Sequence, residues 1–221
     1  MKSRLRFCSI LLLVSGFAVL VTVGQTIRGQ KENPVTKFRS DRHQEFADPK
    51  RSPLEPEEVP RFKGLKYFEV NSRFRLQARF VRTPNEKKFN LPTSSGITKV
   101  YLKYGELVFT LAENQYSLGV YQSETLSQTE KYRDYLLIPF TDMTNGKTTY
   151  GGGRYIDFQI PTAELVTLDF NLAYNPSCAF SNRYNCPIPP RENRLNTKID
   201  VGEKLYRKLS TRSFAGISSL R

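Results

Sequence analysis

The feature that most constrains the fold is a set of short segments in which apolar and polar residues alternate. The clearest case is residues 73–80, where apolar and charged or amide side chains follow one another without a break. A period of two places the apolar side chains on one face of a β-strand and the polar side chains on the other. This segment is therefore predicted to be a strand with one buried and one solvated face.

Further strands follow along the chain, separated by turn signals. Tyr104-Gly105 and Glu113-Asn114 are predicted to be hairpin turns, and Asn145-Gly146 is the strongest short turn signal. About eight or nine short strands at this spacing predict a mainly β fold, either a single antiparallel sandwich or a partly closed barrel. The other predicted strands are residues 100–103, 107–111, 115–121, 135–140, 154–160, 165–171 and 195–201.

Two short helices are predicted ahead of the strands, in a charged stretch that contains five prolines. An amphipathic pattern runs from Val35 to Phe46 and ends before Asp48-Pro49. Ser52-Pro53-Leu54-Glu55 has the residues of a second helix start. We therefore divide the chain into a leader (1–27), a spacer (28–60), a β-rich domain (61–205) and a basic tail (206–221).

The leader predicts export. Residues 7–23 are almost entirely apolar, and Lys2, Arg4 and Arg6 precede them. This charge bias keeps the N-terminus in the cytoplasm and sends the remainder across the membrane. The length allows an uncleaved membrane anchor, whereas Thr22 and Gly24 allow signal-peptidase cleavage. The predicted location is the bacterial cell envelope, anchored in the inner membrane and facing the periplasm or exterior, or secreted if the leader is cleaved.

Composition excludes several classes of function. Hydrophobic residues at 38% and aromatic residues at 12% exclude wholesale disorder and a polytopic membrane protein. A single histidine, His43, makes a His-rich metal site or a Ser-His-Asp enzyme very unfavourable, and no metal or cofactor is expected. The net charge of +13 favours acidic lipid headgroups or an acidic partner; export argues against nucleic acid.

The triple glycine at 151–153 has two interpretations. It is either a bulged or bent strand connection, or a loop whose N–H groups and the adjacent Arg154 face an anion. A P-loop is excluded at Gly146-Lys147-Thr148, because Thr141 stands where the motif needs its first glycine.

Polar residues alternate along the strands predicted at 154–160 and 165–171. If these strands pair as a hairpin, Asp157 and Asp169 share a sheet face, with Tyr174 and Glu192 near them. Such carboxylates form either an acid–base pair or a solvated face with one structural arginine–carboxylate pair. Arg154 has the opposite parity and joins this face only through a bulge.

Cys178 and Cys186 close a short loop. In an exported protein a disulfide is the natural interpretation, followed by reduced buried thiols and, last, a metal-binding pair.

Three motifs carry a family resemblance: TYGGGRYIDF at 149–158, DFNLAYNPSCAF at 169–180 and NCPIPPRENRL at 185–195. Together they resemble a bacterial domain-of-unknown-function family, number 1684, whose outer landmarks resemble GLKYF at 64–68 and GEK at 202–204. The resemblance implies no activity. It assigns signature positions to Tyr150, Gly153, Arg154, Tyr155, Asp157, Asp169, Asn171, Tyr174, Asn175, Cys178, Cys186, Glu192 and Asn193.

Three functions remain open at this point. The first is non-enzymatic binding of a small polar or anionic ligand, with Arg154 as the charged donor. The second is hydrolysis by Asp157, Asp169 or Glu192, with or without a divalent cation. The third is an envelope scaffold; whether the chain is an enzyme, and its oligomeric state, are left open. The expected ligand-binding residues are Tyr150, Gly153, Arg154, Tyr155, Asn171, Tyr174, Asn175 and Asn193.

Overall fold

A single antiparallel sheet dominates the computed structural model, which describes residues 33–206. Helix α1 (Pro34–Ala47) precedes the sheet, and the short helix α2 (Glu124–Ser127) interrupts it. Short 3₁₀ segments connect the remaining parts. The seven strands are β1 (Arg75–Arg82), β2 (Phe89–Pro92), β3 (Thr98–Leu111), β4 (Asn114–Ser123), β5 (Tyr135–Phe140), β6 (Arg154–Gln159) and β7 (Leu165–Asp169).

The strand order is β6-β5-β4-β3-β1-β7, and β2 pairs with β3 beside this path. The sheet curls into a half-barrel. The prediction of a mainly β fold is therefore confirmed, as a partly closed barrel and not as a sandwich. The described residues form seven strands, fewer than the eight or nine predicted.

Strand β3 replaces a predicted hairpin. The chain was expected to turn at Tyr104-Gly105, but it continues through these residues as one strand of 14 residues. A shift in the pairing register with β4, between Lys103 and Gly105, marks a bulge there. A Cβ at position 105 would lie 2.6 Å from the Phe80 ring. The glycine therefore permits close packing of β1 on β3 and does not form a turn.

The second hairpin is present, with its turn one residue earlier than the predicted Glu113-Asn114. Strands β3 and β4 pair from Leu111↔Asn114 back to Tyr101↔Ser123. Ala112 and Glu113 form the turn with φ of 48° and 69°. Two successive positive φ values match the right-handed twist of the paired strands.

Residues 195–201 do not form the predicted strand. The carbonyl oxygens of Ile199 and Val201 accept hydrogen bonds from the Arg154 guanidinium, and the Ile199 N–H donates to Asp142. Because these backbone groups bond to side chains, the segment lies against the sheet without joining its ladder.

The main core lies on one face of the sheet. It combines side chains from the strands with residues of the C-terminal segment, and its fully buried members include Leu107, Leu118, Leu136, Ile138, Phe140, Phe170 and Ile199.

A second, smaller cluster joins α1 to the rest. The predicted helix is present, with Asn33 as its N-cap and Pro34 in its first turn. Phe46 is completely buried and packs edge-on against Phe180, with Leu54 in the same cluster. The helix predicted to start at Ser52 is absent: Ser52 accepts from Leu54 N as a helix cap would, but the backbone after it continues in turns and the short 3₁₀ segment Val59–Arg61.

Within residues 33–206, no helix is long and apolar enough to cross a membrane. The apolar segment at 7–23, on which the export prediction depends, lies outside the described residues.

Candidate functional site

Arg154 begins β6 and points into the protein interior. Its Nη2 lies 2.8 Å from Asp142 Oδ2 and 2.6 Å from the Ile199 carbonyl, while Nη1 donates to the Val201 carbonyl. Both side chains of the ion pair are 0% exposed. Asp142 also accepts from the N–H of Thr144 and of Ile199. The guanidinium thus ties the C-terminal segment to β6 and has no face open to a ligand.

The glycine before Arg154 has a structural cause. Gly153 has φ of +94°, a conformation that other residues rarely adopt. A Cβ there would lie 2.7 Å from both the Phe140 carbonyl oxygen and Pro189 Cγ. The triple glycine therefore ends in a tight strand connection, which places Arg154 beside the end of β5.

On the outer face of β6, Asp157 is held by two tyrosines. The hydroxyls of Tyr135 and Tyr174 donate to its Oδ1 at 2.7 and 2.5 Å. Burial, together with the nearby carboxylate, raises the pKa of both phenols well above the usual value. The two hydroxyls therefore remain donors at physiological pH, and Asp157 is fixed in place.

Tyr155 brings two of the motif segments to the same face. Its backbone exchanges two hydrogen bonds with Tyr174, at 2.9 and 3.0 Å. Its hydroxyl donates to the Pro187 carbonyl at 2.5 Å. The motifs at 149–158, 169–180 and 185–195 thus meet on the outer side of β5 and β6.

Cys178 and Cys186 join this contact as free thiols. The Cys178 N–H lies 3.1 Å from Cys186 Sγ, and the Tyr150 hydroxyl lies 3.8 Å from Cys178 Sγ. The sequence predicts that the two cysteines lie close together and form a disulfide. The structure places them close together as thiols, and each sulfur accepts a hydrogen bond.

Asp169 lies at the other end of the sheet. It ends β7, which lies at the opposite end of the strand order from β6. The two strands therefore do not pair, and the condition for a shared face of Asp157 and Asp169 is not met. Asp169 pairs with Arg75 at 2.9 Å. Asn171 donates to Asp169 and exchanges hydrogen bonds with the backbone of Asn71. These polar groups fix the end of β7 against the chain that leads into β1.

Glu192 and Asn193 are held by a third set of partners. Glu192 accepts from the Tyr121 hydroxyl at 2.6 Å and lies 3.1 Å from Lys103 Nζ. Burial raises the pKa of this carboxyl, but these two donors outweigh it and the net shift is downward. Asn193 is buried and bonds the backbone of Gly119 and Pro139.

Within residues 33–206, Arg154, Asp169 and Glu192 therefore do not converge on the expected cleft. Arg154, Asp169 and Glu192 each engage different partners, and Asp157 and Asp169 lie on the two end strands of the sheet. The described residues contain no group of three or more His, Cys, Asp and Glu side chains arranged to hold a metal ion. The arrangement gives no acid–base pair of the kind that the hydrolase hypothesis requires.

A cavity of about 670 Å³ lies elsewhere, where three chain segments meet. Residues 202–206 lie beside 66–68, with Phe68 N bonded to the Gly202 carbonyl and Lys204 N to the Lys66 carbonyl. The N–H of Leu205 donates to the Thr148 carbonyl at 2.8 Å. The lining comprises residues 61–66, Phe68, Lys147, Thr148 and residues 203–206.

The cavity combines apolar walls with a basic rim. Its apolar side chains are Phe62, Leu65, Phe68, Leu205 and Tyr206. Five lining residues are cationic, and across residues 33–206 none of them forms an ion pair: Arg61, Lys63, Lys66, Lys147 and Lys204. Lys204 Nζ lies 4.8 Å from the centre of the Phe68 ring. An uncompensated positive rim over an apolar interior suits an anion that carries an apolar body.

Among the described lining residues, Glu203 is the one acidic residue, and it is almost fully buried. Arg42 Nη2 lies 3.3 Å from its Oε2, and the Asn175 side-chain amide donates to Oε1 at 2.9 Å. Burial raises the pKa of Glu203, and Arg42 and Asn175 only partly offset this. Asn175, an expected ligand-binding residue, therefore does not line the cavity but supports it by holding the lining residue Glu203 in place.

Sequence reasoning missed this cavity, although two signals point to it. Basic and aromatic residues alternate closely in RFKGLKYF at 61–68, and GEKLY at 202–206 repeats the combination. Their meeting depends on pairing between segments that are more than 130 residues apart, which no local pattern reveals.

Comparisons with known proteins agree with the family resemblance. A family model described as "Protein of unknown function (DUF1684)" matches residues 60–204, more than half of the chain, so the chain belongs to this family. A solution NMR structure of an uncharacterized protein from Haloarcula marismortui is similar, with 33% identity and a TM-score of 0.60. The similarity covers 77% of this chain and 91% of that one. No curated protein matches.

Proposed function

We propose that this chain, a member of the DUF1684 family, binds a small anionic molecule with an apolar body in the basic cavity. The observation that carries the proposal is the set of five lining cations, which have no ion-pair partner among residues 33–206, above aromatic and aliphatic walls. A volume of about 670 Å³ falls within the range of about 300–1,000 Å³ that is usual for small-molecule sites.

The electrostatics of the cavity favour an anion over a neutral ligand. The Glu203 carboxyl is paired with Arg42 behind the wall, so it offsets little of the positive rim. The rim cations are exposed or half-exposed, so the attraction is screened by salt. Apolar contacts with Phe62, Leu65 and Phe68 supply the part of the affinity that salt leaves unchanged.

The two outer motifs of the family resemblance also support this location. GLKYF at 64–68 and GEK at 202–204 contribute Gly64, Leu65, Lys66, Phe68, Glu203 and Lys204 to the lining. The inner motifs, in contrast, hold the framework together through Arg154 and Asn193. The ligand expected from the sequence is thus retained, with the cavity lysines replacing Arg154 as the charged donors.

Calorimetric titration of the full chain with 1-naphthyl phosphate, beside neutral 1-naphthol, tests the proposal. We expect the phosphate to bind more tightly and its affinity to fall as salt is raised. The double substitution Lys66→Ala and Lys204→Ala should weaken binding about tenfold, and Lys87→Ala, an exposed lysine outside the lining, should leave it unchanged. Equal binding of both compounds, or an unaffected double variant, would contradict the proposal.

Export belongs to the same proposal. The apolar run at 7–23 after three basic residues supports an envelope location, with the membrane as a partner through that segment. Protease added to intact spheroplasts should then digest the domain, whereas protection until lysis would place it in the cytoplasm.

A further inference from the structure

The two cysteines form a cluster that the proposed ligand site does not use. Cys178 lies in the 3₁₀ segment Ser177–Ala179, and Cys186 follows eight residues later. Both are free thiols, and the Cys178 N–H lies 3.1 Å from Cys186 Sγ. Two cysteines can form a disulfide without a large backbone movement only if they already lie close together. The loop meets this condition, because it holds the Cys178 backbone against Cys186 Sγ.

The two sulfurs differ in their access to solvent. Cys178 is partly exposed, whereas Cys186 is 8% exposed. Thiol–disulfide exchange also requires different access at its two thiols. The first thiol attacks an external disulfide and must be accessible, whereas the second, the resolving thiol, attacks only the neighbouring cysteine. The structure therefore suits Cys178 to the first role and Cys186 to the second.

The surroundings hold Cys186 still and stabilise a thiolate at Cys178. Ser94 accepts from the Cys186 N–H at 3.2 Å, and its own N–H donates to the Cys186 carbonyl at 2.9 Å. A hydrogen bond from the Cys186 thiol lowers the pKa of Cys178 to about 6, with Ser94 and Tyr150 adding to the effect. The same hydrogen bond raises the pKa of Cys186.

Three tyrosines and one lysine face the pair. Tyr101, Tyr150 and Tyr155 lie around the sulfurs, and burial raises the pKa of each phenol. Lys99 is the cation of the surroundings, and its charge favours the thiolate form of Cys186. The three phenols therefore stay neutral at the pH where Cys178 ionises.

We infer that Cys178 and Cys186 form a thiol–disulfide exchange site whose co-substrate is a small-molecule disulfide. The Cys178 thiolate attacks one sulfur of the disulfide, which forms a mixed disulfide and releases the other half as a thiolate. That thiolate takes the proton of Cys186. The Cys186 thiolate then attacks Cys178 Sγ and closes the protein disulfide, while the second half leaves as a thiolate. Overall, the Cys178 thiolate and the Cys186 thiol are oxidised to a disulfide, and the external disulfide is reduced to one thiol and one thiolate.

The test treats the full chain with oxidised glutathione. The chain carries Cys8→Ser, so that Cys178 and Cys186 are the two cysteines left to react. After acid quenching, mass mapping should show the Cys178–Cys186 disulfide. With Cys186→Ser added, a glutathione adduct on Cys178 should accumulate; with Cys178→Ser instead, Cys186 should react at least about tenfold more slowly. Far-UV circular dichroism before oxidation checks that each variant is folded.

Two outcomes of the glutathione experiment overturn the inference. One is a folded chain whose thiols both resist oxidised glutathione while the urea-unfolded chain reacts. The other is a Cys178→Ser variant in which Cys186 reacts as fast as Cys178 does in the opposite variant. The pH dependence of alkylation gives an independent test, since Cys178 should reach half its maximal rate near pH 6. A midpoint near pH 8.5, the value of an unperturbed thiol, would also count against it.

Discussion

Two regions of the molecule carry cationic side chains, but the positive charge is paired within the protein in one region and, in the described part of the chain, unpaired in the other. Arg154 is 0% exposed and shares its guanidinium between Asp142 and two carbonyl groups. The rim of the cavity carries Lys66, Lys147 and Lys204, which have no carboxylate partner within residues 33–206. The first region fixes the fold, and the second leaves its positive charge available for a ligand.

The difference shows which property marks a binding cation. A charge near glycines and within a specific motif is compatible with either role, as Arg154 demonstrates. What distinguishes the two regions is whether the structure already supplies the counter-charge. A buried charge must be paired, because an unpaired one is costly, whereas an exposed lysine tolerates the lack of a partner.

The largest effect is expected when the buried pair is broken. Asp142→Asn leaves Arg154 as an uncompensated buried charge, so we expect the free energy of unfolding to fall by about 3–5 kcal/mol in urea titrations. The cavity variant Lys66→Ala should change it by less than about 0.5 kcal/mol. Comparable losses in the two variants would remove the contrast between the regions.

The buried carboxyl at the cavity wall gives a pH-dependent prediction of intermediate size. Because burial raises the pKa of Glu203, the folded chain holds its proton to higher pH than the unfolded chain does. The stability that Glu203 contributes is then greatest below its unfolded pKa of about 4.3 and is lost as pH rises through the folded pKa. The stability advantage of wild type over Glu203→Gln, measured by urea unfolding, should shrink from pH 4 to pH 7; growth of this advantage would reverse the assigned direction.

The smallest effect is expected at an ion pair in which only the arginine is exposed. Arg75 is 50% exposed where it contacts Asp169, so solvent screens the interaction. Asp169 is 4% exposed, but it keeps the Asn171 N–H and side-chain amide as donors when Arg75 is removed. Arg75→Ala should reduce the free energy of unfolding by at most about 1 kcal/mol, as measured by urea titration. A loss as large as that of Asp142→Asn would mean that burial does not separate the two kinds of pair.

The strands show what local patterns predict well. Residues 135–140 match β5, and residues 154–160 match β6 within one residue, because apolar periodicity is a local property. The turn expected at Tyr104-Gly105 was wrong, since the close approach of Phe80 requires that glycine. A glycine in a sequence does not reveal which neighbour makes it necessary.

The site depended on information that is not local. Strand parity correctly placed Arg154 and Asp157 on opposite faces of β6. Their convergence with Asp169 required β6 to pair with β7, and the strand order instead puts these two strands at the ends of the sheet. Similarly, the cavity forms only where residues 66–68 meet residues 202–204.

Hydrogen-exchange mass spectrometry of the full chain, with and without 1-naphthyl phosphate, tests the location of the ligand site most directly. We predict added protection in peptides that cover residues 61–68, 147–148 and 203–206, and none around Arg154. Lys66→Ala with Lys204→Ala should reduce that protection. Protection confined to residues 151–157, 169–175 and 192–193, or absent throughout at concentrations that saturate the calorimetric signal, would contradict the assignment of the cavity.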